Sequence, residues 1–157
     1  MKRVNANDPV AMVQMSFRRY RSGDYDSAFK YVNKAAELGD AGAHYHLAMF
    51  YHEGQHVEKD RKKEVYHLEQ AAIGGDPAAR YNLGIEEEGN DRMDRAIKHW
   101  IIAATLGHDA SLDALRNGFR TGLVSKEDFA SALRAHQAAV EATKSPQREA
   151  AEEAQKE

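Results

Sequence analysis

A single phrase recurs three times along the chain and limits what the rest can become. It reads Lys34-Ala35-Ala36-Glu37-Leu38-Gly39-Asp40, then Gln70-Ala71-Ala72-Ile73-Gly74-Gly75-Asp76, then Ile102-Ala103-Ala104-Thr105-Leu106-Gly107-His108-Asp109. The Ala-Ala pairs begin at 35, 71 and 103, giving spacings of 36 and 32. Periods of this size belong to repeats built from two helices. The chemistry of the phrase says why it recurs. Alanine is the best helix former and adds no bulk, so paired alanines let a neighbouring helix pack closely. The glycine that follows can adopt the left-handed conformation that ends a helix. The aspartate after it can cap the next helix, and Asp76-Pro77 places proline at the favoured first helical position.

Between these marks each unit divides into two helices. The pattern predicts helices over 9–21 and 24–38, broken at Ser22-Gly23, and over 41–53 and 60–73, with Gly54 to Lys59 as a longer loop. A third pair covers 77–88 and 91–106, broken around Gly89-Asn90. A less regular fourth covers about 110–120 and 126–142, entered through Ser125 with Asp128 as a capping-box partner. No alternating β-branched run bounded by turn residues is present, so the chain reads as all-α. The expected architecture is an α-solenoid of about four antiparallel helix pairs, with an array over 8–142 (units 8–39, 40–75, 76–108 and 109–142) and a charged tail over 143–157. Leu47, Tyr51, Leu68, Tyr81, Leu83, Ile97, Ile101 and Leu106 are the expected core.

The second unit resembles a Sel1-like repeat, a relative of the tetratricopeptide repeat. The residues that carry the resemblance are Ala43-His44-Tyr45-His46-Leu47-Ala48, the loop Gly54-Gln55-His56-Val57-Glu58-Lys59-Asp60, and then Tyr66 and Ala71-Ala72. The third unit matches through Tyr81-Asn82-Leu83-Gly84, Ala96 and Ala103-Ala104, with a shorter loop. The first is similar through Gly23-Asp24-Tyr25 and Ala28. Two positions depart from the pattern: Glu64 stands where the family usually has alanine, and His56 replaces the second loop glycine. The resemblance implies an adaptor or scaffold, including adaptors attached to ubiquitin-ligase or quality-control machinery. Some algal relatives place a RING-type finger before the array; this chain has no cysteine, so no ligase activity of its own carries over.

Composition narrows the function classes. The apolar share of 42% is enough for a core, while the formal net charge of -3 does not favour nucleic acid or an anionic membrane. The absence of cysteine removes disulfides, thiolate metal sites and cysteine nucleophiles. No apolar run approaches ~18 residues, and Met1-Lys2-Arg3-Val4 leads into Asn5 and Asn7 without an apolar stretch. An intracellular, cytoplasmic address is the expectation.

One motif argues for chemistry. His52-Glu53-Gly54-Gln55-His56 spells the H-E-x-x-H signature of zinc hydrolases, which needs both histidines on one face of a continuous helix. The repeat register instead ends the helix at Gly54 and puts His56 in the loop, so the zinc-dependent hydrolase is the rival reading rather than the expectation. The histidines at 44, 46, 52 and 56 form a polar cluster that could sense pH or pick up metal. Glu86, Glu87 and Glu88 are consecutive and so point around a helix rather than converging. The basic runs Arg18-Arg19-Tyr20-Arg21 and Lys59 to Lys63 read as solvated helix ends, the first also as a grip for an acidic group. No phosphate loop, nucleophile elbow or dinucleotide fingerprint is present. The expectation is therefore a non-enzymatic module without cofactor or metal, binding a peptide or partner domain on the first helix of each pair. Carried along the repeat register, one column reads Gln14, His46, Asn82 and the next Phe17, Met49, Ile85, with Arg21 one turn beyond Phe17. A polar stripe beside an apolar one suits a peptide backbone and its side chains. These seven residues are the candidate partner-binding set.

Overall fold

A computed structural model describes residues 8–154. They form eight helices in the order α1 (Pro9–Arg21), α2 (Tyr25–Glu37), α3 (Ala41–Glu53), α4 (Arg61–Ile73), α5 (Pro77–Gly89), α6 (Met93–Thr105), α7 (Asp109–Arg120) and α8 (Lys126–Ala154). No strand occurs among the described residues. None of these helices is long and apolar enough to cross a membrane.

Stop, cap and start operate as the phrase suggests. Gly39, Gly75 and Gly107 all take positive φ (86°, 92° and 88°). Asp40 Oδ1 then accepts from Ala43 N at 2.7 Å and Asp76 Oδ1 from Ala79 N at 2.8 Å. In the third phrase His108, not Asp109, takes the cap, its Nδ1 accepting from Ser111 N at 3.3 Å. Asp8, Asp24, Asp60 and Ser125 cap α1, α2, α4 and α8 in the same way.

The chain divides into two compact units, one ending at Leu83 and the other beginning at Gly84. In the first, α1 packs on α2, α2 on α3 and α3 on α4. Its core consists of Met12, Val32, Ala35, Ala36, Ala43 and Leu47, followed by Ala48, Leu68, Ala71, Ala72, Ala79 and Leu83. The closing alanine pairs lie inside both clusters, which is the close approach that their small size permits. In the second unit, α6 packs on α7 and α8, and α7 on α8, burying Ala96, Trp100, Ala103, Ala104, Leu112 and Leu115. Of the expected core, Leu47, Leu68 and Leu83 are buried, while Tyr51, Tyr81, Ile97 and Ile101 are half-buried.

Three expectations need correction. Leu106 is not core: it is 49% exposed, because it is the residue that closes α6 and its side chain points away from the packed face. Leu38, at the same place after α2, is exposed too. The break in the third pair falls later than expected. Gly89 still belongs to α5, and Asp91 takes the left-handed turn at φ 58°, at the register position of Gly23. Arg92 then stands where Asp24 caps α2 and gives α6 no side-chain cap. Finally, α8 continues past 142 and runs through Pro146 to Ala154. Residues 155–157, the end of the expected tail, lie outside the described residues, as does the opening segment 1–7.

Candidate functional site

Helices α1 and α3 bound a groove of about 280 Å³ lined by Ser16, Phe17, Tyr20, His46, Met49, Phe50 and Glu53. The spacing places them there. On α1, Ser16, Phe17 and Tyr20 share a face, and on α3 the set 46, 49, 50 and 53 follows the i, i+3, i+4, i+7 pattern of one helical stripe. The rings meet nearly at right angles. Phe17 and His46 lie 4.7 Å apart at 84°, and Tyr20 and Phe50 lie 5.9 Å apart at 76°. Ser16 does not offer its hydroxyl to the groove, since it donates to the Ala28 carbonyl at 2.8 Å. Burial pushes the His46 imidazole below its ordinary pKa, against smaller opposite pulls from Asp76 and Asp40, so the ring is neutral at pH 7. The Glu53 carboxylate has no hydrogen-bond or ion-pair partner among the described residues.

Of the seven sequence candidates, Phe17, His46 and Met49 come together in this groove. Gln14 and Arg21 are exposed on α1, one turn to either side of Phe17, and do not line it. Asn82 is half-buried and Ile85 exposed on α5. Sequence reasoning does not find Tyr20, Phe50 and Glu53. A signal is present in the spacing 17, 20 on α1 and 49, 50, 53 on α3, but Tyr20 sits within a basic run and Glu53 within the zinc motif, and both draw attention elsewhere.

The zinc motif itself is taken apart by the fold. Gly54, at φ 64°, ends α3 between the two histidines, and a Cβ there would lie 2.8 Å from Lys59 Cβ. His52 Nδ1 is 2.9 Å from Glu64 Oε1, which also accepts from Arg61 at 2.7 Å. His56 stacks on Tyr25 at 3.5 Å and 10°. No group of three metal-ligating side chains is gathered among the described residues. The two departures from the repeat pattern are thus both occupied structurally: Glu64 is buried in an ion-paired knot, and His56 closes against the preceding repeat.

The remaining histidine of the cluster, His44, pairs with one outside it, His67 on α4. His44 Nδ1 lies 2.9 Å from His67 Nδ1, so one ring donates and the other accepts. Burial, helped by the charge of His44 and of Lys63, lowers the pKa of His67 to about 4, and burial lowers that of His44 as well. Tyr51 stacks on His67 at 5.7 Å, with Lys63 Nζ 5.1 Å from the Tyr51 ring centre. Elsewhere, Arg19 pairs with Asp24, and Glu87 holds Arg92 and Arg95; the Arg92 bond keeps the Glu87 carboxyl below its ordinary pKa.

Comparison with known proteins fits this geometry. The chain is similar to a Sel1 repeat protein from Oxalobacter formigenes, with 30% identity and a TM-score of 0.65 over 72% of this chain and 91% of that one. It also shares the fold of c5321, a protective antigen of uropathogenic Escherichia coli strains with an SLR fold, at 23% identity and TM-score 0.69 over 83% of this chain and 30% of that one. A stretch of 56 residues is 34% identical to HcpC of Helicobacter pylori strain J99, whose name assigns it provisionally as a beta-lactamase; it covers 36% of this chain. The chain spans only 19% of the length of HcpC. The Sel1 repeat model matches residues 9–40, 41–76 and 77–108, three consecutive helix pairs that take in most of the chain. The described structure is the corresponding all-α solenoid of helix pairs, and repeats of this kind generally serve as protein-interaction scaffolds: the chain belongs to the Sel1 repeat family.

Proposed function

We propose that this chain is a non-enzymatic interaction module that receives a peptide or a segment of a partner domain on the first helix of each pair, as an intracellular adaptor or scaffold. The observation that carries the reading is the groove between α1 and α3, in which the Phe17 and Tyr20 rings stay exposed beside His46, Met49 and Phe50. Apolar rings left open beside polar groups suit a polypeptide, which brings both backbone and side chains. Phe17, His46 and Met49 form the apolar contact. Gln14 and Arg21 supply flanking polar contacts, and Asn82 and Ile85 continue the same register on α5. Service within a ubiquitin-ligase or quality-control assembly is one setting for such an adaptor.

The β-lactamase name of HcpC does not redirect this reading. The spelling Ser-x-x-Lys occurs at Ser27 to Lys30, but Ser27 is committed to capping: its backbone N–H and its side chain both bond Asp24. Affinity capture from native lysate with mass spectrometry tests the proposal. Wild type is compared with Phe17→Ala and with a Gln14→Ala/His46→Ala/Asn82→Ala variant, all shown to be folded. Loss of a specific partner in both variants is the expected result. Retention of the same partners in both would place binding elsewhere on the molecule and refute the groove.

A further inference from the structure

We infer that the α1–α3 groove is a receptor for an arginine side chain presented by a partner polypeptide, with Phe17 and Tyr20 as stacking faces and Glu53 as the counter-ion. The inference rests on the interaction reading above and deepens it. Three observations point to a cation. First, Glu53 is the one charged side chain among the lining residues, and its carboxylate is without a partner among the described residues. Second, it occupies the last position of α3, where the helix dipole is negative and a carboxylate is disfavoured. Folding gains nothing from an acid at that place, whereas a bound cation would meet both the side chain and the dipole. Third, Phe17, Tyr20, His46 and Phe50 put four aromatic rings along the groove, and two of them, Phe17 and Tyr20, remain 50% and 38% exposed. The face of an aromatic ring is its negative side and attracts a cation.

The remaining polar groups do not favour an anion. The Ser16 hydroxyl is already engaged by the Ala28 carbonyl, and His46 brings no positive charge at neutral pH. Arg21 is exposed one turn beyond Phe17 and does not line the groove, so solvent and salt screen it. Among cations, guanidinium fits better than ammonium. It is planar, stacks on rings, gives up its hydration more readily, and can meet a carboxylate with two parallel N–H bonds. The apolar stem of arginine would lie along Met49 and Phe50, which suits its length.

The test titrates the full chain with N-acetyl-arginine N-methylamide and, in parallel, with the norleucine analogue, following the Met49 methyl and the Phe17 and Tyr20 ring signals by NMR. The arginine amide should shift these signals saturably and bind at least about tenfold more tightly than norleucine, the discrimination a charge-assisted bidentate pair supports. Glu53→Gln, at an exposed helix end, should weaken the arginine amide about tenfold and leave norleucine unchanged. Equal binding of the two amides would overturn the inference while leaving an apolar interaction groove intact. Arginine binding indifferent to Glu53→Gln would overturn it as well, as would no shift with either amide. The broader reading is judged separately: a partner captured by wild type and lost by Phe17→Ala keeps the interaction groove even if arginine is not its occupant.

Discussion

Replacing Gly84 by alanine should destabilise the protein, although helix propensity alone predicts the reverse. Gly84 lies within α5, and alanine in a helix interior is favoured over glycine by about 1 kcal/mol. Here the added Cβ would overlap Trp100 Nε1 and fall 2.5 Å from Trp100 Cδ1 and 3.0 Å from Trp100 Cε2. The indole is only 5% exposed and rigid, so it cannot swing aside as a flexible chain end could. Overpacking of this kind costs roughly 1–3 kcal/mol, and with so deep an overlap the upper part of that range applies. The net effect is a loss of about 1–2 kcal/mol, or roughly 2–8 °C in Tm for a chain of this size. The repeat register supplies the control. The same two positions hold Ala48 and Leu68 in the second repeat, both buried. The double variant Gly84→Ala/Trp100→Leu should therefore cost less than the two single changes together, by about 1 kcal/mol or more. Urea unfolding followed by far-UV circular dichroism measures all four corners of this cycle. A rise in midpoint for Gly84→Ala, or strictly additive costs, would refute the steric reasoning.

Two further predictions concern the half-buried histidines and the buried Glu64 carboxylate. His67, His44 and His46 all have folded-state pKa values below that of a free histidine, His67 at about 4, so the unfolded chain binds more protons through the window from about 6.5 down to about 4. Stability must then fall as pH drops through that window, by roughly 1–2 kcal/mol once partial exposure of His67 is allowed for; His67→Gln should flatten the slope between about pH 7 and 5, and an unchanged slope would exclude His67 as its source. Glu64→Ala should cost little, within about 1 kcal/mol, because the partners it releases, Arg61 and His52, are about half exposed and can be solvated. Arg61→Ala should cost more than Glu64→Ala, since it leaves the buried carboxylate with His52 alone, and chemical denaturation of both variants gives the order directly.

The helices are legible in the sequence because the punctuation is written locally. Gly-Asp after an alanine pair sets both a stop and a start, and the observed boundaries fall within a residue or two of the expected ones in the first three pairs. The sequence misleads where one residue type stands in for another. Asp91 takes a turn that glycine takes at 23, and His108 takes a cap that aspartate takes at 40 and 76; each substitution is feasible because Asp tolerates positive φ and an imidazole nitrogen can accept a hydrogen bond. Leu106 misleads because hydrophobicity says nothing about which side of a helix end a residue faces. The groove is half legible. A column of one residue per repeat finds Phe17, His46 and Met49, but the opposing wall depends on the angle between α1 and α3, which no single column contains. Glu53 cannot be recognised as unpartnered until the neighbours that fail to reach it are in place.

The stack of His56 on Tyr25 has a consequence for how the molecule comes apart. One ring belongs to the loop inside the second repeat and the other opens the second helix of the first. In a linear array each repeat is held by its own folding free energy and by its bond to the next one along, and a weak bond lets the terminal repeat fray alone. A face-to-face ring pair adds to that bond beyond the buried core cluster, to which Tyr20 and Phe50 link it. Opening the loop of the second repeat thus uncovers the start of α2, and fraying of the first repeat strips the loop of its support. The first two repeats are thereby tied into one cooperative block, so amide protons in α2 and in the 54–60 loop should become exchangeable together rather than in sequence from the N-terminal end.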